Sequence, residues 1–187
     1  MAAPKMFAFD GVFSTEDPQA EVAASSLTDI VSSVVNGNDG CLFCYGHANL
    51  GKSKSMLGSD ECASQLGLIP IAITWLYKSI KERRAKSGAK FSVRVSAMEV
   101  TSQRENIRDL LLPYASDNDQ SPGAFLRHGA LATSAGSTVS RHLQNQSELR
   151  ASSAEKAAYY LDAALSGRYV KQAFFLDICS KTQGEKN

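Results

Sequence analysis

The stretch that decides how this chain is read is Tyr45-Gly46-His47-Ala48-Asn49-Leu50-Gly51-Lys52-Ser53. It fits G-x-x-x-x-G-K-S, the pattern of a phosphate-binding P-loop. Gly46 and Gly51 let the backbone turn tightly and come close to a ligand. The loop's backbone N–H groups then point inward as an anion nest. Lys52 brings a full positive charge to the β- and γ-phosphates, and Ser53 offers a hydroxyl to Mg²⁺. A helix beginning near Lys52 adds the positive end of its dipole. The candidate nucleotide-binding residues are therefore Gly46, His47, Ala48, Asn49, Leu50, Gly51, Lys52 and Ser53, with Ser53 the single metal-contacting residue. No catalytic residue is assigned.

The flanks supply the context the motif needs. Gly40-Cys41-Leu42-Phe43-Cys44-Tyr45 is a continuous apolar run, which suits a buried strand of a parallel sheet. Lys54-Ser55-Met56-Leu57 leaves a helical turn before Gly58. The alternative reading is a glycine-rich strand-to-helix turn that holds nothing. Leu50 is bulky beside the second glycine, Asn49 must accept the φ the loop imposes, and no platform for a base stands nearby.

At 187 residues the chain is one domain or part of one. With 43% hydrophobic and 21% charged residues it is globular rather than disordered. A net charge of +1 gives no global basic surface, so nucleic acid is not an expected partner. No apolar run approaches membrane-spanning length, and Met1-Ala-Ala-Pro-Lys-Met lacks the apolar core of a signal peptide. These features predict a cytoplasmic protein with no membrane contact. Of the four cysteines, Cys41 and Cys44 form a C-x-x-C. On a strand, positions three apart face opposite sides, and no second pair completes a zinc site. They are expected to be buried structural thiols.

In chain order, Phe7-Ala8-Phe9-Asp10-Gly11-Val12-Phe13 reads as a strand and turn. From Gln19 the spacing turns helical, with Val22, Leu27, Ile30, Val31 and Val34 on one face and Asn36-Gly37 as the stop. A second helix restarts at Leu68-Ile69-Pro70, with Ile69, Ile73, Leu76 and Ile80 at helical spacing and Pro70 in the first turn. Lys78, Lys81, Arg83, Arg84 and Lys86 cluster at its far end, either a basic partner-binding patch or, the preferred reading, a solvated helix end. Residues 90–100 form the clearest strand: Phe91, Val93, Val95 and Ala97 face one way, Ser92, Arg94, Ser96 and Met98 the other. Glu105 to Leu112 is a short amphipathic piece that Pro113 closes. Residues 114–123 read as loop, 124–127 as a short strand, and 129–143 as a mobile segment. Ser152-x-x-Glu155 is a capping box that opens a helix through Ala158, Leu161, Ala164 and Leu165, stopped by Gly167. The last residues are expected to be disordered.

The order of these segments resembles a kinesin motor domain. The marks are Phe7-x-Phe9-Asp10-x-Val12-Phe13, the helix ending Asn36-Gly37, and Asp39-Gly40-Cys41-Leu42-Phe43-x-Tyr45-Gly46. Met56-Leu57-Gly58, Gly67-Leu68-Ile69-Pro70, Glu99, and Ile107-Arg108-Asp109-Leu110-Leu111 continue the match. Ser121-Pro122-Gly123, residues 143–150 and Ala154-Glu155-Lys156-Ala157-Ala158 resemble the atypical kinesin-eleven (vertebrate kinesin-twenty-six-like) group. The resemblance implies an α/β, three-layer P-loop NTPase fold, incomplete at both ends. It implies residues 1–168 as the N-terminal part of a motor domain and residues 169–187 as a divergent tail. It also implies ATP or ADP with Mg as cofactor, microtubules (tubulin) as partner with signalling proteins a further class, and a place in the cytoplasm on the microtubule cytoskeleton.

The departures limit the activity that follows. The usual loop is G-Q-T-G-[AS]-G-K-[ST], and here His47, Ala48, Asn49 and Leu50 replace four of its residues. The Arg-x-x-Pro that supports adenine has no counterpart before Phe7. Neither the first switch, Asn-x-x-Ser-Ser-Arg-Ser-His, nor the second, Asp-Leu-Ala-Gly, occurs; Ser140-Arg141-His142 precedes the last helix and is not a switch. Groups that orient the water and stabilise the γ-phosphate are worth about 10³–10⁵ in rate, so this chain is expected to bind nucleotide weakly, if at all, and not to hydrolyse it. The family's first strand is internal to its sheet, and its absence is expected to leave unpaired backbone on residues 41–45 and a chain that is marginal or needs a partner. The function classes are a motor ATPase, a nucleotide-insensitive microtubule-binding or signalling scaffold (with Arg127, His128, Arg141 and His142 near a tubulin-facing loop), and a small-molecule kinase. No phosphate-binding lid arginines support the last of these.

Overall fold

The computed structural model describes residues 5–59, 65–101, 106–115, 146–168 and 173–183. The chain forms two compact units, Met1–Ser79 and Ile80–Asn187.

In the first unit, α1 spans Gln19–Val35. It buries Ala23, Leu27, Val31 and Val35, a strict every-fourth-residue stripe, while Val22, Ile30 and Val34 are half-buried beside it. Gly37 ends the helix at φ 96°. The Asn38 N–H reaches the Ser33 carbonyl at 3.1 Å and the Gly37 N–H reaches Val34 at 3.0 Å, a Schellman pair that satisfies carbonyls the helix leaves open. A six-residue helix, α2 (Lys52–Leu57), follows the phosphate-loop motif. The chain then crosses itself. Gly58 has φ 87° and bridges Leu66, and a Cβ there would lie 2.3 Å from the Gln65 carbonyl oxygen. A Cβ on Gly67 would lie 2.4 Å from the Leu57 carbonyl carbon. Two main chains thus touch where the sequence places glycines, and α3 (Leu68–Ser87) starts from that crossing with Pro70 in its first turn. Leu68, Ile73, Leu76 and Ile80 are its buried positions.

Two expected strands of this unit are absent. Residues 7–13 and 41–45 belong to no strand, and their aromatic side chains face solvent. A strand exists only where its N–H and C=O groups find a partner, and neither segment has one among the described residues.

The second unit holds the sheet. β1 (Lys90–Thr101) is its centre and buries Phe91, Val93, Val95 and Ala97 as the alternation predicts. β2 (Asn106–Asp109) pairs with it antiparallel, with Glu99 opposite Arg108. β3 (Leu149–Ala151) and β4 (Ala173–Gln183) also run antiparallel to β1, with Val95 opposite both Leu149 and Ile178. The described sheet is therefore antiparallel throughout, not parallel. The piece after β2 turns through Leu112–Tyr114 as a 3₁₀ turn, with Leu110 and Leu111 buried. Asp109 holds that corner, accepting from the Leu111 N–H at 2.9 Å and the Ser147 N–H at 2.6 Å. Glu99, buried on β1, meets Arg108 at 3.4 Å, and Arg108 also donates to the Gly167 carbonyl.

The last helix, α4, spans Ala154–Ser166 and buries Ala157, Tyr160, Leu161, Ala163 and Ala164. Its cap is Ser153 rather than Ser152: Ser153 is extended (φ −145°, ψ 165°) and its hydroxyl accepts from the Lys156 N–H at 3.3 Å. The N-cap is thus displaced by one residue, which puts Lys156 and not Glu155 at the third helical position, so the expected capping box does not form; Ala158 is exposed, not core. Gly167 is the C-cap, as expected. β4 runs to Gln183, and residues 184–187, the last of those expected to be disordered, lie outside the described residues. The expected features of residues 116–145 lie outside the described residues.

Candidate phosphate-binding loop

Loop geometry follows from three residues with unusual backbone freedom. Gly51 takes φ 85°, ψ 1° at the N-cap of α2, and Asn49 takes φ 63°. Asn tolerates that left-handed region better than most residues. Gly46 opens the loop at φ 157°. The Ser55 N–H closes the first turn of α2 on the Gly51 carbonyl at 2.9 Å, and the Gln19 side chain donates to the Lys54 carbonyl at 3.2 Å, tying α2 to the start of α1.

Lys52 organises the interior. Its Nζ donates to the carbonyl oxygens of Gly46 at 2.8 Å and His47 at 2.6 Å, arching back over the loop it follows. The ammonium is thereby held at the loop's mouth by two neutral acceptors, a position from which an anion can draw it. His47 keeps its ring beside its neighbour, Nδ1 lying 3.1 Å from the Ala48 carbonyl oxygen. Leu50 is 74% exposed, so its bulk points away from the loop instead of filling it. Ser53 is exposed. The helix behind is only six residues long, so the dipole assistance expected from it is slight and the loop's own groups carry the electrostatics.

The other candidate features fare differently. Cys41 is exposed and Cys44 half-buried, both as free thiols, so the expectation of buried structural cysteines fails with the strand that was to bury them. Lys78, Lys81, Arg83, Arg84 and Lys86 are exposed on α3, and Arg84 reaches the Phe91 carbonyl at 3.5 Å. Arg127, His128, Arg141 and His142 lie outside the described residues. No cluster of His, Cys, Asp or Glu among the described residues could hold a metal ion. A magnesium ion here would therefore take its oxygens from Ser53, a ligand's phosphates and water, the usual arrangement for that ion. No described helix is long and apolar enough to cross a membrane. Sequence reasoning passed over the Gln19 tie, the Asp109 corner and the glycine crossing; the crossing alone had a signal, in the glycines of Met56-Leu57-Gly58 and Gly67-Leu68.

Residues 1–181 match the family model of the kinesin motor domain. The chain is 53% identical over 168 residues to the human kinesin-like protein KIF26B and 47% identical over 173 residues to mouse KIF26A. These matches take in 88% and 91% of this chain but only 8% and 9% of those proteins. Among solved structures, a fast kinesin superposes with a TM-score of 0.67 at 25% identity, over 94% of this chain and 48% of that one. Drosophila NOD, solved as a chain docked with bovine tubulin into a map of its microtubule complex, gives 0.67 at 20% identity over 95% of this chain and 55% of that one, a likeness of fold alone.

Proposed function

Because this chain belongs to the kinesin motor-domain family and carries part of its α/β fold, we propose that residues Gly46 to Ser53 bind the phosphates of ATP or ADP with Mg and that the protein engages microtubules. The observation that carries the reading is Lys52, its Nζ poised on the Gly46 and His47 carbonyls beside two left-handed residues, Asn49 and Gly51. Bound nucleotide would draw that ammonium off its internal acceptors, while the loop's N–H groups take the remaining phosphate oxygens. Bound magnesium would neutralise phosphate charge, with Ser53 as its protein ligand. Residues 1–168 form the motor-type part, and residues 169–187 a tail divergent in sequence.

Turnover is not part of the proposal. Neither switch pattern occurs in these 187 residues, so no group is assigned to orient the attacking water. The reading is of a kinesin-type module, in the cytoplasm on microtubules, that holds nucleotide without hydrolysing it. The replacement of four loop residues by His47, Ala48, Asn49 and Leu50 favours, as the second reading, a microtubule-binding or signalling scaffold indifferent to nucleotide.

Calorimetric titration of the intact chain with MgADP tests the first reading. Binding that Lys52→Ala abolishes, with unchanged circular dichroism, supports it; a folded chain that takes up no heat overturns it. Co-sedimentation with microtubules, with and without ATP, separates the two readings. Microtubule-stimulated ATPase activity lost on Lys52→Ala would overturn the claim of no turnover.

A further inference from the structure

Ile80 is the last buried residue of α3. From Lys81 to Gly88 every residue is exposed, so the helix end stands clear of the core. Lys81-Glu82-Arg83-Arg84-Ala85-Lys86-Ser87-Gly88-Ala89-Lys90 carries five cations against one anion, a net charge of +4, where the whole chain carries +1. Ser87 is the last helical residue. Its hydroxyl donates to the Arg83 carbonyl at 2.9 Å, an exposed contact with the turn before it. Gly88 then turns the chain at φ 67°, with open space where a Cβ would sit, and β1 begins at Lys90. Arg84 stands three residues before Ser87, Arg83 four and Lys86 one. A serine hydroxyl with arginine at that distance is a charge pattern by which protein kinases select their substrates.

We propose that Ser87 is a phosphorylation site for an arginine-directed protein serine kinase. The Ser87 Oγ attacks the γ-phosphorus of the ATP held by that kinase. The new O–P bond forms as the bond to the β-phosphate oxygen breaks, ADP leaves, and the hydroxyl proton passes to the kinase's catalytic aspartate. The acceptor must leave its helix to enter a kinase, and a helix end with no buried side chain opens at little cost. Ser153 is the contrast, for Arg150 stands three residues before it too. Arg150 lies in β3 opposite Arg94 of β1, Ala151 and Ala157 are buried on either side of the serine, and the Ser153 hydroxyl caps α4. Drawing Ser153 out would break a sheet ladder and uncap a helix. One charge pattern thus occurs twice, once on an open helix end and once locked in place. On Ser87 the phosphate adds about two negative charges where the helix dipole is already negative, which loosens the last turn. It also lowers the charge of residues 81–90 from +4 to about +2.

The proposal depends neither on nucleotide binding nor on microtubule binding by this chain. For the test, the full 187-residue chain is incubated with MgATP and the catalytic subunit of cyclic-AMP-dependent protein kinase, and mass spectrometry of a digest maps the phosphate. Ser87 should take up phosphate at least about tenfold faster than Ser153, and Arg84→Ala should slow Ser87 labelling about tenfold. Alanine suits an exposed helical position, so the circular dichroism spectrum of Arg84→Ala should match that of the parent chain and the loss is one of recognition. Ser87→Ala should leave the chain nearly unlabelled, whereas Ser153→Ala should leave Ser87 labelling unchanged. Without the kinase Ser87 should stay unmodified. Absence of phosphate on Ser87, phosphate on Ser153 at an equal rate, labelling indifferent to Arg84→Ala, or modification without the kinase would each overturn the proposal.

Discussion

Residues 40–45 and the middle of β1 make the instructive comparison. Both are apolar and strand-forming by composition. Val95 in β1 has partners on two sides, Leu149 and Ile178, and is fully buried. Phe43 is larger and more hydrophobic, yet stands in solvent because no described strand lies beside it. Side-chain character thus sets what a segment could become, and the presence of a hydrogen-bonding neighbour decides whether it becomes it.

Introducing a charge into each segment would sharpen that contrast most. Val95→Asp should destabilise the chain by about 4 kcal/mol or more, the cost of an unpaired charge in a packed core. Phe43→Asp should change stability by no more than about 0.5 kcal/mol, the usual range for an exposed site. Urea denaturation followed by circular dichroism measures both, and equal losses would break the comparison. The next largest effect should come from Gly58→Ala. A side chain there meets the Gln65 carbonyl at a backbone angle of φ 87°, so a loss of about 1–3 kcal/mol is expected. A neutral result would mean the main-chain crossing before α3 does not set that helix in place. Smaller again is Ser153→Ala, which removes the cap of α4 and should cost about 1 kcal/mol. Smallest is a pH effect at the same cap. The Ser153 hydroxyl and its own N–H hold the Glu155 carboxyl below its ordinary 4.5. A depressed carboxyl stabilises the fold above that ordinary value, and the benefit disappears as pH falls through the lower, folded-state value. A carbon-13 NMR titration should therefore find Glu155 titrating below a typical glutamate, and moving back up in Ser153→Ala.

Local signals were the legible part of this molecule. The two-residue alternation of β1, the helical spacing of α1, Gly37 as a stop and Pro70 in a first turn all depend on residues close in sequence and stand in the structure, although of the face read for α1 only Leu27 and Val31 are buried, with Val22, Ile30 and Val34 half-buried. The backbone freedom expected in the loop was local too: Asn49 and Gly51 take positive φ, and Lys52 folds back onto the Gly46 and His47 carbonyls. What failed was anything that needed a distant partner. Residues 7–13 and 41–45 carry strand composition but lack the pairing that would make it count. The cap is a local ambiguity instead: Ser152 and Ser153 can both cap, and it is Ser153, extended at φ −145°, whose hydroxyl accepts from the Lys156 N–H.

The arch of Lys52 over its own loop also bears on selectivity. An ammonium already resting on two carbonyl oxygens is not a free cation waiting for any passing ion. A visitor must displace both contacts and replace them with better ones, since a neutral acceptor yields only to a charged one. Chloride offers a single charge and a lone carboxylate a single pair of oxygens, whereas a polyphosphate offers several oxygens along one line. Should Gly46 to Ser53 bind phosphate as proposed, the two carbonyl contacts of Lys52 make dense negative charge a better exchange partner for it than a single charge.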